Sequence, residues 1–250
     1  MPQLNPITVV IPCHNEAGAI ADLVAETFGA LGPVCAEILV VDDGSTDGTA
    51  AALLRQFPDD PRLRLIRHGR CWGQSSAIRT GVRAATTAWI ATLDGDGQNP
   101  PDQILTLIAR LEQADAARVG LVQGQRRDRQ DAGSRRLASV LANRIRNYCL
   151  HDTVADSGCG LKLFRRDAWL GLPFFNHIHR FTPAMMQREG WLVLVSPVTH
   201  RPRIAGASKY TNFRRAMVGI VDLAGAAWLI MRAGVPSTTL EGPGAANGES

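Results

Sequence analysis

The feature that most constrains the fold is a regular alternation of apolar strands and amphipathic segments through the first half of the chain. Apolar, β-branched runs are predicted as buried strands over residues 7–12, 37–41, 62–66, 88–93 and 119–123. The segments between them place apolar residues at helical spacing over residues 17–31, 47–57, 75–85 and 101–113. Strands that alternate with helices of this length form βαβ units. The sequence therefore predicts an α/β fold with a mostly parallel central sheet flanked by helices.

Three of these predicted strands end in polar or acidic residues. Residues 12–16 (PCHNE) follow the first strand, 42–45 (DDGS) the second and 94–96 (DGD) the fourth. Because ligands of open α/β sheets bind at the carboxyl ends of strands, we expect these three ends to converge on one crevice. The chain has neither G-x-G-x-x-G in its first turn nor G-x-x-x-x-G-K-[ST], which argues against a Rossmann cofactor site and a P-loop.

Asp94 and Asp96 are the sharpest chemical signal in the chain. In an extended segment, residues i and i+2 point to the same side, so both carboxylates can reach one ligand. Such a pair suits a hard divalent cation, Mg²⁺ or Mn²⁺, which would neutralise a diphosphate leaving group. The alternative is a turn in which these carboxylates bond backbone N–H groups. An acidic residue of the 42–47 stretch could accept hydrogen bonds from a nucleobase or ribose, while Ser45 or Thr46 could cap the next helix.

Composition excludes several classes of protein. With 45% hydrophobic and 20% charged residues, the chain is globular rather than disordered. Its five cysteines include no C-x-x-C pair, which argues against a zinc site or a disulfide framework and favours a reducing cytosol. Neither a secretory leader nor an apolar run of about 20 residues is visible. The net charge of +4 is concentrated in residues 126–146, which either meet an anionic partner or form a solvated basic face.

The second half of the chain is less regular. A basic amphipathic helix is predicted over residues 134–150, and strands over 160–164 and 191–198. Residues 211–231 are predicted as one helix, basic at its start and nearly all apolar afterwards, which could be buried, face a partner or lie in a membrane interface. Residues 234–250, rich in Gly, Pro, Ser and Ala, are predicted to be a disordered tail.

Six motifs occur in a fixed order along the chain. They are VVIPCHNE, ILVVDDGSTDGT, TLDGDGQNPPD, the G-x-R of Gly124 to Arg126, DSGCGLKLFRR and RPRIAGASKY. Together they resemble the family 2 inverting glycosyltransferases of the GT-A fold. The resemblance covers roughly residues 5 to 232. It is strongest to the branch of dolichol-phosphate mannosyltransferases and bacterial polyprenyl-phosphate glycosyltransferases.

The resemblance implies a division of the chain. A GT-A domain would occupy residues 1–210, with a nucleotide-sugar-binding half over 1–125 and an acceptor half over 126–210. A C-terminal apolar or interfacial helix over 211–233 and the tail 234–250 would follow.

The resemblance also implies roles for residues of the donor site. One group would line the nucleotide-sugar site: Pro12, His14, Glu16, Val41, Asp42 and Asp43. Asp94, Gly95 and Asp96 match the D-x-D of the family, with Asp94 also implied in catalysis. Asp96, Asp94 and Gln98 would hold Mg²⁺ or Mn²⁺ and contact the donor.

Further roles concern the acceptor side. Three cations, Arg126, Arg203 and Lys209, would clamp the donor diphosphate and the acceptor phosphate. Asp156 matches an acidic residue that acts as a base or orients the acceptor. The chain departs from the family at Cys159-Gly160, where an aromatic residue is usual.

The implied activity is inverting, metal-dependent transfer of a sugar from a UDP- or GDP-linked donor to polyprenyl phosphate, for cell-envelope glycan or glycolipid assembly. A lipid monophosphate has a second pKa of roughly 6, so near neutral pH it needs cations and positioning more than a strong base. The enzyme would be cytoplasmic and would meet the cytosolic membrane face peripherally or through a membrane partner. Nucleic acid is not an expected partner, and a homo-oligomer is left open.

Two other functions are weighed against this one. The same fold could transfer sugar to a saccharide or protein hydroxyl, which requires a true base, with Asp156 the best candidate. More remotely, the chain could be a non-catalytic nucleotide-binding or receiver-like module.

Overall fold

The computed structural model describes residues 6–126, 150, 154–201 and 212–234. Its strands are β1 (Ile7–Cys13), β2 (Cys35–Asp42), β3 (Leu63–Arg67), β4 (Trp89–Thr92), β5 (Val119–Arg126), β6 (Lys162–Arg165) and β7 (Leu192–Val198). Its α-helices are α1 (Ile20–Leu31), α2 (Thr49–Gln56), α3 (Gln74–Ala84), α4 (Gln103–Glu112), α5 (Arg166–Leu170), α6 (Thr182–Arg188) and α7 (Asn212–Met231). Short 3-10 helices cover Gly32–Val34 and Ile178–Arg180.

Within the described residues the strands form one seven-stranded sheet in the order β3-β2-β1-β4-β6-β5-β7. β1 is parallel to β2 and β4, β2 to β3, and β5 to β7. β6 runs antiparallel to both of its neighbours, β4 and β5. The predicted mostly parallel sheet is confirmed. Because β6 is reversed, its first residue, Lys162, pairs with Thr92, the last residue of β4. The segment that leads into β6 therefore lies at the edge where the parallel strands end.

Helices cover both faces of the sheet, as the continuous apolar strands require. On β1, Val9 and Ile11 belong to one buried cluster, with α1 and α4, while Val10 belongs to the other, with α3, α5 and α6. Each fully buried aliphatic side chain of this kind contributes roughly 1.5–3 kcal/mol relative to an exposed one. Ala226 of α7 is buried in the second cluster, so α7 packs on the α3 face of the sheet.

The predicted elements of the first half lie within about three residues of the observed ones, because apolar runs and helical periodicity define them. The helix predicted over residues 211–231 is present as α7. The helices α5 and α6, of five and seven residues, were not predicted, because so short a segment completes barely two turns of any periodic pattern. In the part of the chain that the structure describes, no helix combines the length and apolar character needed to cross a bilayer.

Some predictions lie outside the described residues. Of the predicted helix 134–150 only Leu150 is described, and it is helical and buried. The predicted tail lies outside them from residue 235 onward. The division into a donor half over 1–125 and an acceptor half over 126–210 stays a prediction.

Candidate functional site

The carboxyl ends of β1, β2 and β4 surround a cleft of about 800 Å³. Several residues predicted to bind a nucleotide-sugar line it: Pro12, His14, Glu16, Asp43, Asp94, Gly95 and Asp96. Val41 and Asp42 are buried in β2, and neither they nor Gln98 line the cleft. The three strand ends thus converge on one crevice, as their positions in the sequence suggested. A smaller hollow of about 410 Å³ between α1 and α2 contains none of the predicted residues.

Asp43 organises the loop that forms one wall of the cleft. Its carboxylate accepts hydrogen bonds from the Nδ1 of His68 at 2.7 Å, from the backbone N of Trp72 at 2.9 Å and from the backbone N of Gly73 at 2.7 Å. The Cys71 thiol donates to the same carboxylate at 3.2 Å. Burial acts to raise the pKa of Asp43, but these donors hold that pKa below its usual value. The ionised carboxylate therefore fixes residues 68–73 around itself.

Gly44 allows this loop to come close. Its φ is +71°, and a Cβ at this position would lie 2.5 Å from the carbonyl carbon of Arg70. Only glycine fits such a left-handed, crowded position without strain. Asp42 supports the same turn by accepting a hydrogen bond from the backbone N of Ser45 at 2.9 Å and by pairing with Arg67 at 3.4 Å.

The turn after β1 is cross-linked to the turn after β2. Asn15 has a φ of 58°, and its backbone N donates to the Ser45 hydroxyl at 2.8 Å. The Asn15 side-chain oxygen accepts from the backbone N of Thr46 at 2.8 Å. Helix α2 has Gly48 at its N-cap and no side-chain cap, so the capping role predicted for Ser45 or Thr46 is wrong. Both residues instead bond to Asn15, which joins the two polar turns.

The acidic pair after β4 lies in a different environment. Asp94 is partly buried, and its Oδ1 accepts a hydrogen bond from the Nε2 of Gln74 at 2.7 Å. Burial, and then the like charge of Asp96, raise the pKa of Asp94, while the charge of Lys162 opposes the rise. A Cβ on Gly160 would lie 2.1 Å from the Oδ2 of Asp94, so the carboxylate fills the space where a side chain would stand. The departure from the family at Cys159-Gly160 thus coincides with a direct contact on the acidic pair.

Lys162 is a residue of the site that sequence reasoning missed. Lys162 lines the cleft, and its Nζ donates to the carbonyl oxygens of Ser157, at 3.2 Å, and Cys159. Burial lowers its pKa. One signal was available: of the 27 basic residues only Lys162 and Lys209 are lysines, and Lys162 interrupts an apolar strand. A lone buried cation in a strand indicates a nearby anion.

Arg126 and Asp156, predicted on opposite sides of a long segment, are brought together. The Nε of Arg126 donates to the Oδ2 of Asp156 at 2.7 Å and its Nη2 to the Oδ1 at 2.8 Å. This two-pronged bond raises the pKa of Arg126. Neither residue lines the cleft described above. Arg203 and Lys209 lie outside the described residues.

The last wall of the cleft comes from residues that carry no sequence signal. His177, His179 and Arg180 lie on and beside the 3-10 helix Ile178–Arg180, and Trp169 lies on α5. The Nδ1 of His179 lies 2.7 Å from the hydroxyl oxygen of Ser75. Burial lowers the pKa of His179 well below its usual value, so this ring is neutral near pH 7.

The donor set of the acidic pair bears on whether it could hold a divalent cation. Among the residues that the structure describes, no group of three or more His, Cys, Asp or Glu side chains forms a metal site. Asp94 and Asp96 nevertheless face one cleft, and their mutual repulsion would fall if a cation lay between them. Mg²⁺ is usually held by one or two carboxylates together with substrate phosphates and water. The two residues therefore fit a cation that a bound diphosphate completes, and not a cage built by the protein alone.

Comparison with known proteins agrees with this geometry. The sequence model of the family described as Glycosyl transferase family 2 matches residues 8–170. The chain is 35% identical over 222 residues to the undecaprenyl-phosphate 4-deoxy-4-formamido-L-arabinose transferase of Enterobacter sp. (strain 638), a match that covers 84% of this chain and 64% of that protein. The chain thus spans less than two thirds of the length of that relative.

Solved structures share the fold. Mannosyl-3-phosphoglycerate synthase from Rubrobacter xylanophilus has a TM-score of 0.68 at 16% identity, over 96% of this chain and 78% of its own. A mannosyltransferase from Pyrobaculum calidifontis in complex with GDP-Man and Mn²⁺ has a TM-score of 0.64 at 22% identity, over 94% of this chain and 67% of its own. Glucosyl-3-phosphoglycerate synthase from Mycobacterium tuberculosis, in complex with Mn²⁺, UDP-Glc and glycerol 3-phosphate, has a TM-score of 0.63 at 18% identity. That match covers 94% of this chain and 82% of the synthase. With a GT-A fold around its acidic cleft and a family match over most of its length, the chain belongs to glycosyl transferase family 2.

Proposed function

We propose that this chain catalyses inverting, divalent-metal-dependent transfer of a sugar from a UDP- or GDP-linked donor to polyprenyl phosphate. The observation that carries the proposal is the Asp94–Asp96 pair in a cleft walled by the ends of β1 and β2. The acceptor class is supported by the 35% identical relative, whose name specifies an undecaprenyl-phosphate sugar transferase. The role in cell-envelope glycan or glycolipid assembly follows from that acceptor.

On the donor side, the residues of the cleft hold the acidic pair in place. Asp94 and Asp96, with Gln98 beside them, would hold Mg²⁺ or Mn²⁺, which supplies positive charge to the diphosphate leaving group when it is bound. Gln74 orients Asp94 through the 2.7 Å hydrogen bond. The positive charge of Lys162 offsets part of the negative charge of the pair. The loop that Asp43 organises forms the opposite wall, where the nucleoside would lie.

On the acceptor side, the Arg126–Asp156 pair supports orientation more than base catalysis. Two donors from the Arg126 guanidinium engage both oxygens of Asp156 and fix the orientation of that carboxylate. A phosphate monoester that is largely dianionic near neutral pH needs no strong base. Arg203 and Lys209 are proposed to add the cations that bring the acceptor phosphate to the donor. The phosphate oxygen then attacks the anomeric carbon from the face opposite the diphosphate, which inverts the configuration.

The transfer itself is tested by incubating the purified chain with radiolabelled UDP- and GDP-sugars, Mn²⁺ and undecaprenyl phosphate. We expect label to move into the organic-extractable phase as a phosphate-linked sugar. A second arm offers saccharide and protein hydroxyl acceptors in place of the lipid. Transfer only in that arm would overturn the lipid acceptor and favour the version with a true base. If no nucleoside diphosphate raises the thermal stability of the chain in the presence of Mn²⁺, the enzyme assignment is overturned altogether.

The apolar side chains of α7 support contact with a lipid surface. Ile220, Val221, Trp228 and Met231 are 63%, 68%, 58% and 75% exposed, and the sequence places two arginines near the start of the same helix. A helix with an exposed apolar face and basic residues suits the surface of an anionic bilayer. We propose that α7 lies on the cytosolic face of the membrane, where the lipid acceptor is found.

Vesicle sedimentation tests this contact. With vesicles of phosphatidylglycerol and phosphatidylcholine, Val221→Glu and Trp228→Glu should reduce the bound fraction several-fold. The control is Leu54→Glu, since Leu54 is 50% exposed on α2 at another place in the fold. If both α7 variants bind vesicles like the wild type, α7 does not contact lipid. A homo-oligomer that covers α7 would instead dissociate in the same variants, as measured by analytical ultracentrifugation.

A further inference from the structure

The turn that carries His177 and His179 is bonded to the start of α3. The Nδ1 of His179 lies 2.7 Å from the Ser75 hydroxyl oxygen, and the backbone N of His179 lies 3.5 Å from the same oxygen. Ser75 follows Gln74, whose side chain donates to Asp94. The position of this turn therefore bears directly on the residues that hold the acidic pair.

The backbone of His177 adopts a conformation that is unfavourable for a residue with a side chain. Its φ is 66°, in the left-handed region, and it is not a glycine. A residue other than glycine in this region is under backbone strain and persists only where the surrounding structure holds it. The Nδ1–H of His177 donates to the Oδ2 of Asp222 at 2.8 Å, across 45 residues of chain. This bond from α7 holds the side chain of the strained residue.

Asp222 stands out on its own helix. It is the one acidic residue in the sequence of α7, and its side chain is only 17% exposed. A half-buried carboxylate in an apolar helix is costly unless it is paired. Val218, one helical turn before Asp222, lines the cleft, so α7 reaches the cleft at the same level as the turn. The carboxylate of Asp222 therefore joins α7 to the wall of the cleft through His177 and is not simply a solvent-exposed charge.

We propose that Asp222 is a positioning residue for the donor cleft and acts through His177. The hydrogen bond from His177 to Asp222 keeps His177, the first residue of the turn 177–180, in its left-handed backbone conformation. Residues 177–180 then hold Ser75 and the first residues of α3 against Asp94. Asp222 itself does not line the cleft. The inference rests on the proposed function only in taking the cleft as the site of the nucleotide.

Binding of UDP and GDP in the presence of Mn²⁺, measured by isothermal titration calorimetry, tests the proposal. Asp222→Ala should weaken binding of the nucleotide that the wild type prefers by about tenfold. Asp222→Asn keeps an oxygen that can accept the His177 N–H and should bind like the wild type. The matched control is Asp167→Ala, which removes an exposed carboxylate paired with Arg165 on the surface. It should leave binding unchanged.

A double-mutant cycle separates this role from a general loss of structure. In a His177→Gly background, which relieves the strain but lacks the ring, Asp222→Ala should weaken binding no further. Additive losses in the cycle would overturn the action through His177. So would an Asp222→Asn variant that binds as weakly as Asp222→Ala. If Asp222→Ala does not fold, Asp222→Leu replaces it in both comparisons, because Leu suits an apolar helix and cannot accept the His177 N–H.

The possible failures are distinguishable. A wild-type chain that binds neither nucleotide overturns the proposed function, and the inference falls with it. A wild-type chain that binds, together with an Asp222→Ala variant that binds equally well, overturns the inference alone. In the kinetics of sugar transfer, the expected loss lies in KM for the donor, with kcat close to that of the wild type, because the reacting groups are unchanged.

Discussion

The ends of β2 and β4 both present acidic residues to the cleft, yet the two are in opposite electrostatic states. At the end of β2, Asp43 accepts hydrogen bonds from a ring N–H, a thiol and two backbone amides, and its pKa is held down. At the end of β4, Asp94 is partly buried, and desolvation together with the like charge of Asp96 raises its pKa. The same sequence pattern, an apolar strand followed by carboxylates, therefore produces one carboxylate with a lowered pKa and one with a raised pKa.

This difference separates stability from ligand binding. A carboxylate that receives several N–H donors stabilises the loop that supplies them. A desolvated carboxylate beside another carboxylate lowers the stability of the protein in the absence of a cation, and a bound cation would remove that cost. The end of β2 is thus a structural support of the cleft, and the end of β4 is where we propose that a metal and a diphosphate bind.

The largest expected effect comes from Asp96→Ala. Removing this carboxylate removes half of the charge that the pair offers a cation, so metal-dependent transfer should fall by about a hundredfold or more. The measurement is the initial rate of sugar transfer across a Mn²⁺ titration. Asp102→Ala, which removes an exposed carboxylate at the start of α4, should have no comparable effect. If purified Asp96→Ala retained full metal-dependent activity, the assignment of Asp96 to the metal would be wrong.

The second prediction compares the two strand ends by stability. Asp43→Asn replaces a charged acceptor of several hydrogen bonds and should lower the free energy of unfolding by about 1.5–3 kcal/mol. Asp94→Asn removes the repulsion from Asp96 and should leave that free energy unchanged or higher. Urea unfolding in the presence of EDTA measures both. Equal losses in the two variants would contradict the contrast drawn between β2 and β4.

The third prediction compares two glycines. Gly44→Ala forces a Cβ to within 2.5 Å of the Arg70 backbone at a φ of +71° and should lower the free energy of unfolding by about 1–3 kcal/mol. Gly160→Ala instead displaces the Asp94 carboxylate and should lower transfer by about tenfold or more, with a smaller loss of stability. Gly158→Ala serves as the control, because its Cβ would meet only the Oδ1 of Asp156 at 3.9 Å. Loss of stability alone in Gly160→Ala would show that Asp94 rotates freely.

The smallest expected effect is a difference in pH dependence. The lowered pKa of Asp43 gives stability that is present above its usual value of 3.8 and is lost as the pH falls through the folded-state value. The raised pKa of Asp94 works in the opposite sense, so protonation in the folded state adds stability as the pH falls toward 3.8.

Unfolding free energies measured from pH 7 downward test both signs. The advantage of the wild type over Asp43→Asn should persist to about pH 4 and disappear below it. Any disadvantage of the wild type against Asp94→Asn should already shrink above pH 4. A disadvantage that grows on acidification would contradict the raised pKa of Asp94.

Sequence patterns predicted much of the fold and one side of the site. The apolar runs that became β1, β2 and β4 are long enough and β-branched enough to be recognised. Strand ends then located the acidic residues at the cleft, since all parallel strands end at one edge. Lys162 and Gln74 were missed because their relation to Asp94 depends on the antiparallel β6 and on the start of α3, which local patterns do not specify.

The alternation of strands and helices, the acidic strand ends and the order of the family motifs can all be recognised without coordinates. These depend on residue type and local spacing, which a single chain displays directly. Folding in three dimensions sets which carboxylate has its pKa lowered and which has it raised. Hydrogen-bond donors for Asp43 come from a loop 25–30 residues away, and the clamp on His177 comes from a helix 45 residues further along. A carboxylate acquires its pKa from the groups that folding brings near it, and sequence distance does not reveal them.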